Sequence, residues 1–397
     1  MARRIAIPSK EVQVKLVGVR DSLILPRIQR LTMNADRPST DIDELGNRLH
    51  AGTVEDVPAV TLTFQSMDVG IKLFSVLTGT DFLAYPASGV SITEIQEVDV
   101  VIHVRDDNTD DYVKTAHARK CTVRDFSFSY SVDGESTEEY TIIGSEKRWF
   151  INDLIVEKFG AGAGPFALSE TPEPLKSGND ALSVIQDGVY LDEVSGVPAA
   201  GEYEITGSTL TVGSATVDQL LIVYQSTTSS EVWADTGDNS MPAAIRGLDV
   251  PVTIAANGIE RVQSVTLNGT FNPETVREMG NRQVVGYQLQ VPSVTGTVTV
   301  LDTDEELIEL FTTGTLASGD TEWGIDEFTA TGLDLVIELR DPADKVPPIA
   351  VLKSLEVPEL VVTSEGFTSN VNANAQQTFD IKSRTGDLIV YSGVIPS

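Results

Sequence analysis

The sequence predicts a mainly β protein made of two similar units separated by a smaller β insert. Three observations carry that reading: an internal duplication at nearly constant spacing, apolar and polar residues alternating at period two, and one short helical stretch per unit. The duplication is the strongest of the three. Setting Arg27 against Arg261, an offset of 261 − 27 = 234, places Gln29, Thr32 and Asn34 on Gln263, Thr266 and Asn268 without a gap. Gly46, Asn47 and Arg48 then meet Gly280, Asn281 and Arg282, and Val57, Pro58, Val60, Thr61 and Thr63 meet Val291, Pro292, Val294, Thr295 and Thr297. Upstream, the same offset lays residues 12–19 over residues 246–253. Downstream it slips by one, so that residues 98–106 parallel residues 333–341. The chain therefore divides into a first unit over residues 1–159, an insert over 160–239 and a second unit over 240–397.

Composition narrows the function classes. A length of 397 residues fits two or three domains of ~100–200 residues each. Apolar residues make up 41%, enough for real cores, and no stretch approaches the ~20 apolar residues of a membrane helix, so no membrane partner is expected. The Arg3-Arg4 pair is not followed by an apolar run of signal-peptide length, and no secretion signal is expected. With 28 basic against 59 acidic residues the formal charge is −31, which repels nucleic-acid phosphate and argues against sequence-reading DNA recognition. Lysine is scarcer than arginine, compatible with a halophilic host or with a strongly acidic mesophilic protein. Cys121 is the sole cysteine, which excludes an intrachain disulfide, and its alternation with Val123 makes it a small buried residue.

Taken in order, residues 10–19 alternate as a half-buried strand, and residues 24–33 read as a second strand. Residues 34–52 break into Asp36, Pro38, Ser39, Asp41 and Asp43 and end in Gly46-Asn47, a long polar loop of the kind more often functional than idle. Residues 60–64 and 294–300 alternate apolar residues with threonine as strands. Asp68 precedes Ile71, Leu73, Phe74 and Leu77, and Asp302 and Thr303 precede Leu307, Ile308, Leu310 and Phe311. These are short amphipathic helices, with Asp68, Asp302 or Thr303 as N-caps and Gly79 and Gly314 ending them. In residues 98–105, Val98, Val100, Ile102 and Val104 form one face, with Asp99, His103 and Arg105 opposite. Residues 333–340 repeat that arrangement. Strands at 120–130, 139–143, 350–357 and 378–381 complete the two units. The glycine-rich run from Gly160 to Pro165 reads as a linker, residues 182–224 as a compact β module, and residues 227–239 as a second linker.

Catalytic and metal chemistry finds little. His50, His103 and His117 have no metal-ligand spacing, and His103, on a mixed-charge strand face, reads as an ordinary surface histidine. No nucleophile elbow occurs, and Cys121 has no histidine near it in sequence, so no enzyme activity and no cofactor are expected. Residues 106–111 begin like a calcium loop but place Asp111 where glycine should turn the chain and His117 where glutamate should close the site, which favours a solvated hairpin tip. Asn34 and Asn268 share a place read as a turn. The sharpest local signal is the repeated tripeptide, Gly46, Asn47, Arg48 and Gly280, Asn281, Arg282. It is either a structural turn or a subunit contact in which arginine reaches a carboxylate on a neighbouring chain.

Two β units of this size, each with one short helix and a long loop after the second strand, together resemble the tail tube proteins of long-tailed phages and tailed archaeal viruses, in the variant that carries two tube domains per chain. The resemblance covers both repeats. It implies tail-tube-like β-sandwich or barrel units, three chains closing a ring of six units, and strands joined into one inner barrel. It also implies loops 34–52 and 268–286 contacting the next ring, an insert decorating the outside, other tail proteins as partners, and genome DNA passing through the lumen without sequence-specific binding. An acidic channel suits that passage, because phosphate finds no cation against which to release counterions. The alternative is another virion or cell-surface structural β protein, such as a capsid decoration or spike. A carbohydrate-active reading would need aromatic platforms, whereas Trp149, Trp233 and Trp323 are far apart in sequence.

Overall fold

A computed structural model describes residues 12–43, 45, 50–56, 58–67, 70–105, 112–144, 146–226, 245–279, 284–301, 306–314, 322, 324–328, 331–344, 347–369 and 374–396. The protein is mainly β. The first copy contains β1 (Val12–Val17), β2 (Ile28–Asp36), β3 (Ala59–Ser66), α1 (Ile71–Thr78), β4 (Val98–Arg105), β5 (Tyr112–Ser131) and β6 (Thr137–Gly144). The insert adds β7 (Asp153–Gly162), β8 (Ser183–Gln186), β9 (Glu202–Thr206), β10 (Thr209–Val212) and β11 (Thr216–Ser226). The second copy contains β12 (Val252–Ile254), β13 (Val262–Thr270), β14 (Ser293–Val300), α2 (Glu306–Thr313), β15 (Leu333–Arg340), β16 (Val351–Thr368), β17 (Gln376–Ser383) and β18 (Ile389–Ser392).

Both copies pair their strands in the same antiparallel order. The first runs β1-β4-β5-β6-β3-β2, and the second runs β12-β15-β16-β17-β14-β13. Irregularities repeat as well. Arg27 and Arg261, 234 apart, both adopt positive φ (53° and 59°). Their carbonyls accept the Nε2 of Gln29 and Gln263, two residues on, at 3.2 and 3.1 Å. Lys120 and Glu359 also share positive φ (48° and 47°), and their N–H groups donate to Asp99 and Asp334 at 2.9 and 3.0 Å. Each marks a bulge where the long strand bends, so a carboxylate two positions into the neighbouring strand satisfies the displaced amide.

The first strand departs from the expected overlay. Val14 faces Ile102 and Val252 faces Ile337; because residues 102 and 337 are counterparts, Val14 corresponds to Val252, an offset of 238 rather than 234. A strand's side chains alternate with period two, so a slip of four residues leaves every face unchanged and the sequence pattern cannot reveal it. α1 starts at Gly70, which occupies the N-cap in an extended conformation without a side-chain cap; Asp68, Asp302 and Thr303 lie outside the described residues. Gly79 ends α1 in the left-handed region at φ 65°, and the Gly314 N–H closes α2 onto the Leu310 carbonyl at 2.9 Å, as αL caps do.

One hydrophobic core runs through both copies, from Phe64, Phe128 and Tyr140 to Phe311 and Phe379. It is continuous because the end of β5 pairs with β13, from Ser131↔Ser264 to Asp125↔Thr270, joining the sheets. At this junction a Cβ on Gly269 would lie 2.1 Å from two carbons of the Phe126 ring, so only glycine fits. Asn34 and Asn268 therefore sit inside strands β2 and β13, not at turns.

The insert forms two four-stranded sheets around its own core of Ile155, Val184, Tyr203, Leu210, Leu220 and Tyr224. Gly160 and Gly162, expected in a linker, belong to β7 and pair with β11 across a bulge. Glycine costs backbone entropy in a strand but accommodates that kink. The second expected linker, 227–239, lies outside the described residues. A separate apolar seam of Val17, Val101, Leu154, Ile185, Leu221 and Val223 packs the insert onto the first copy.

Candidate assembly interface

The feature of the described residues that bears on assembly is their sheet edges. In an antiparallel ladder the hydrogen-bonded pairs alternate along the strand. At the junction of the two copies the Val132 N–H donates to the Gln263 carbonyl at 2.9 Å, and the Phe271 N–H donates to the Arg124 carbonyl at 2.9 Å. The odd-numbered residues of β13 therefore direct their backbone groups at β5. Among the described residues the counterparts of these two edges have no strand beside them: β2 pairs only with β3, and beyond Leu360 β16 pairs only with β17. β2 is exposed along most of its length. Open edges of this length are a liability in a soluble chain unless something covers them.

A buried ion pair locks the junction. Lys353 on β16 meets Glu138 on β6 at 2.5 Å, both fully buried. Tyr140 donates to the other carboxylate oxygen at 3.2 Å, and the ammonium lies 5.2 Å from the Phe128 ring centroid. Above it, Val90–Ser91 of the first copy pairs with β18 of the second, and the Tyr85 hydroxyl donates to the Val390 carbonyl at 2.9 Å. Burial pushes the Tyr85 phenol well above its ordinary value, so it remains a donor.

The expected long loops are β-hairpin arms. Ser39–Ile42 pairs with Gly52–Glu55, and Glu274–Val276 pairs with Gly286–Gln288. Loop composition hid these strands, since Ser39–Ile42 are exposed and Thr53 donates to Asp41 across the hairpin instead of contributing to a hydrophobic face. At positions related by 234, Ile42 and Val276 are exposed, as are Leu45 and Met279. Arg277 of one arm reaches Asp56 at the base of the other at 2.8 Å. The candidate contact residues Gly46, Asn47, Arg48, Gly280, Asn281 and Arg282, and the acidic loop 106–111, lie outside the described residues.

The polar face of β4 holds a feature that strand patterning misassigns. His103 is fully buried, 3.5 Å from Asp153, because the insert covers this face. Asp99, also fully buried, takes His117 at 3.0 Å, the Tyr190 hydroxyl at 2.9 Å, the Ser183 hydroxyl and the Lys120 N–H. Burial opposes ionisation of Asp99, but the hydrogen bond and charge of His117, with the Ser183 and Lys120 bonds, outweigh it and hold the carboxyl below its ordinary value. Ser183 and Tyr190 belong to the insert, so Asp99 is the polar pin that seats it on the first copy. In the second copy, where no insert intervenes, Asp334, Glu338 and Arg340 on the equivalent face remain part-exposed.

No protein-family model matches the chain, and no curated relative matches it in sequence. Among solved structures it is similar to the tube-terminating cap of the anti-feeding prophage, at 13% identity and TM-score 0.26, over 38% of this chain and 95% of that one. It is also similar to a chain of the sheath–tube complex of an extracellular contractile injection system in its extended state, at 14% identity and TM-score 0.24, over 37% of this chain and 92% of that one.

Proposed function

We propose that this chain is a structural protein of a virus-like tail, which assembles by edge-to-edge strand pairing between copies and has no catalytic role. The observation that carries the reading is the junction between β5 and β13. It is a contact between two similar units, and among the described residues the same two surfaces recur with no strand beside them at the outer ends of the chain. Transferring its register through the internal offsets, 234 for β13 and 239 for the β5 bulge, sets Asp36 opposite Ser364 and Thr32 opposite Thr368 of the next copy. Repeating one junction geometry around an axis closes a ring and leaves no sheet edge open. By the resemblance to duplicated tail tube proteins, three chains would close the ring, each contributing its two similar β units to the ring and the β7–β11 insert to the outside. Exposed Ile42, Leu45, Val276 and Met279 on the arms give each ring an apolar contact for stacking onto the next ring or onto other tail proteins. A net charge of −31 suits a lumen through which DNA passes without being held.

Ala35→Pro tests this. Ala35 is the counterpart of Gly269, so its N–H points off the open edge of β2, and proline there removes no bond to β3. The variant should fold and melt as the parent does yet fail to form rings in sedimentation. Rings formed as readily by Ala35→Pro as by the parent would refute edge pairing at β2.

A further inference from the structure

We infer that the seam between copies is clamped by Lys114 and Trp149 of one chain receiving Phe367, Glu365 and Gln377 of the next. This rests on the self-assembly reading above and adds its chemistry. Within the chain, Lys353 enters the first copy between Glu138 and the ring of Phe128, two residues directly opposite each other in the β5–β6 ladder. The second copy keeps that geometry, with Phe367 opposite Gln377 in the β16–β17 ladder. Phe128 and Phe367 are 239 apart, as are Glu138 and Gln377. Lys353 and Lys114 are also 239 apart, and each faces a matching residue on the neighbouring strand, Leu339 and Val104. Every member of the buried clamp thus has a counterpart, and the counterparts stand on opposite outer ends of the chain.

Their present condition fits an interface lacking its other half. Phe128 is buried whereas Phe367 is 64% exposed, and Val390 is buried whereas its counterpart Trp149 is 52% exposed. Aromatic residues of this size at the centre of a contact are where binding energy concentrates. In the isolated chain Lys114 and Lys147 fold over the Trp149 ring, at 4.6 and 4.9 Å from its centroid. Burial and the neighbouring Lys114 charge lower the Lys147 ammonium from its ordinary value, as expected of two cations crowded on one ring.

The carboxylate has moved rather than vanished. Gln377 replaces Glu138, but its Nε2 donates to Glu365 Oε1 at 3.0 Å, which brings a carboxylate beside Phe367. The incoming Lys114 therefore meets an anion and an aromatic face, as Lys353 does, but at a seam that opens when chains separate.

The test uses the full chain with Lys114→Glu, Glu365→Lys, the pair together, and Trp149→Ala, assayed by sedimentation and electron microscopy at low and high salt. Each single charge reversal should raise the concentration needed for ring formation about tenfold at low salt, Trp149→Ala should do so at any salt, and the double reversal should restore the parent value. Monomer melting should be unchanged in all four. Singles that assemble as the parent does, or a double variant no better than either single, would overturn the clamp. If these variants assemble normally while Ala35→Pro does not, the clamp fails and edge pairing stands; if the parent never forms rings, both fail.

Discussion

Replacing Lys353 with methionine should be among the most damaging single changes in the molecule. The substitution keeps the aliphatic stem but removes the ammonium that lies 2.5 Å from the fully buried Glu138 carboxylate, whose other oxygen accepts the Tyr140 hydroxyl. Stranding one member of a buried pair costs about 3–5 kcal/mol; loss of the ammonium from the Phe128 face adds roughly 0.5–1 kcal/mol. The expected destabilisation is therefore about 3.5–6 kcal/mol, at the high end for a single substitution. Urea titration of the transition that carries both copies measures it as a lower midpoint at unchanged slope. Glu138→Gln combined with Lys353→Met removes the stranded charge while leaving Tyr140 an acceptor, and should recover at least half of the loss. A single variant within about 1 kcal/mol of the parent would mean that the pair is wet rather than buried. A double variant as unstable as the single would assign the loss to packing.

Two further outcomes follow from the other sites. Asp99→Asn should loosen the insert from the first copy by about 2 kcal/mol at neutral pH, read as faster hydrogen exchange in β8 and β11 while the first copy stays protected. Because the folded-state carboxyl is held below its ordinary value, its stabilisation is full above about pH 4 and is lost as pH falls through the depressed value. The parent and the variant should therefore converge in acid; a gap that stays constant down to pH 2 would rule out the charge of Asp99 as its source. Arg48→Ala and Arg282→Ala should leave melting within about 0.5 kcal/mol of the parent but impair polymerisation. Collapse of melting with normal assembly of the remaining folded protein would make the tripeptide a structural turn.

Much of the fold was legible because the chain repeats itself: constant offsets and period-two alternation place both helices and the main strands of both units. Beyond the four-residue slip of the first strand, three features were not legible, each for a physical reason. The hairpin arms have polar, exposed strands that bury no face, so nothing alternates. His103 looks like a surface residue because strand pattern reports only which residues share a face, not what covers it, and the cover here comes from the insert, beginning with Asp153, 50 residues downstream. Gly160 and Gly162 read as a linker by composition, yet pairing with β11 overrides propensity. The assembly edges were within reach of sequence reasoning, since carrying the 234-residue offset from Gly269 to Ala35 identifies the equivalent strand. What sequence could not supply was the fact that β13 is covered and β2 is not.

Negative-stain electron microscopy of the purified chain across a concentration series, with mass measured in parallel by light scattering, tests the central claim most directly. Rings of three chains showing six similar lobes around a hollow centre, stacking into tubes as concentration rises, are the predicted result. A folded chain that stays monomeric at high concentration, with β2 and the end of β16 fully open to hydrogen exchange, would contradict it.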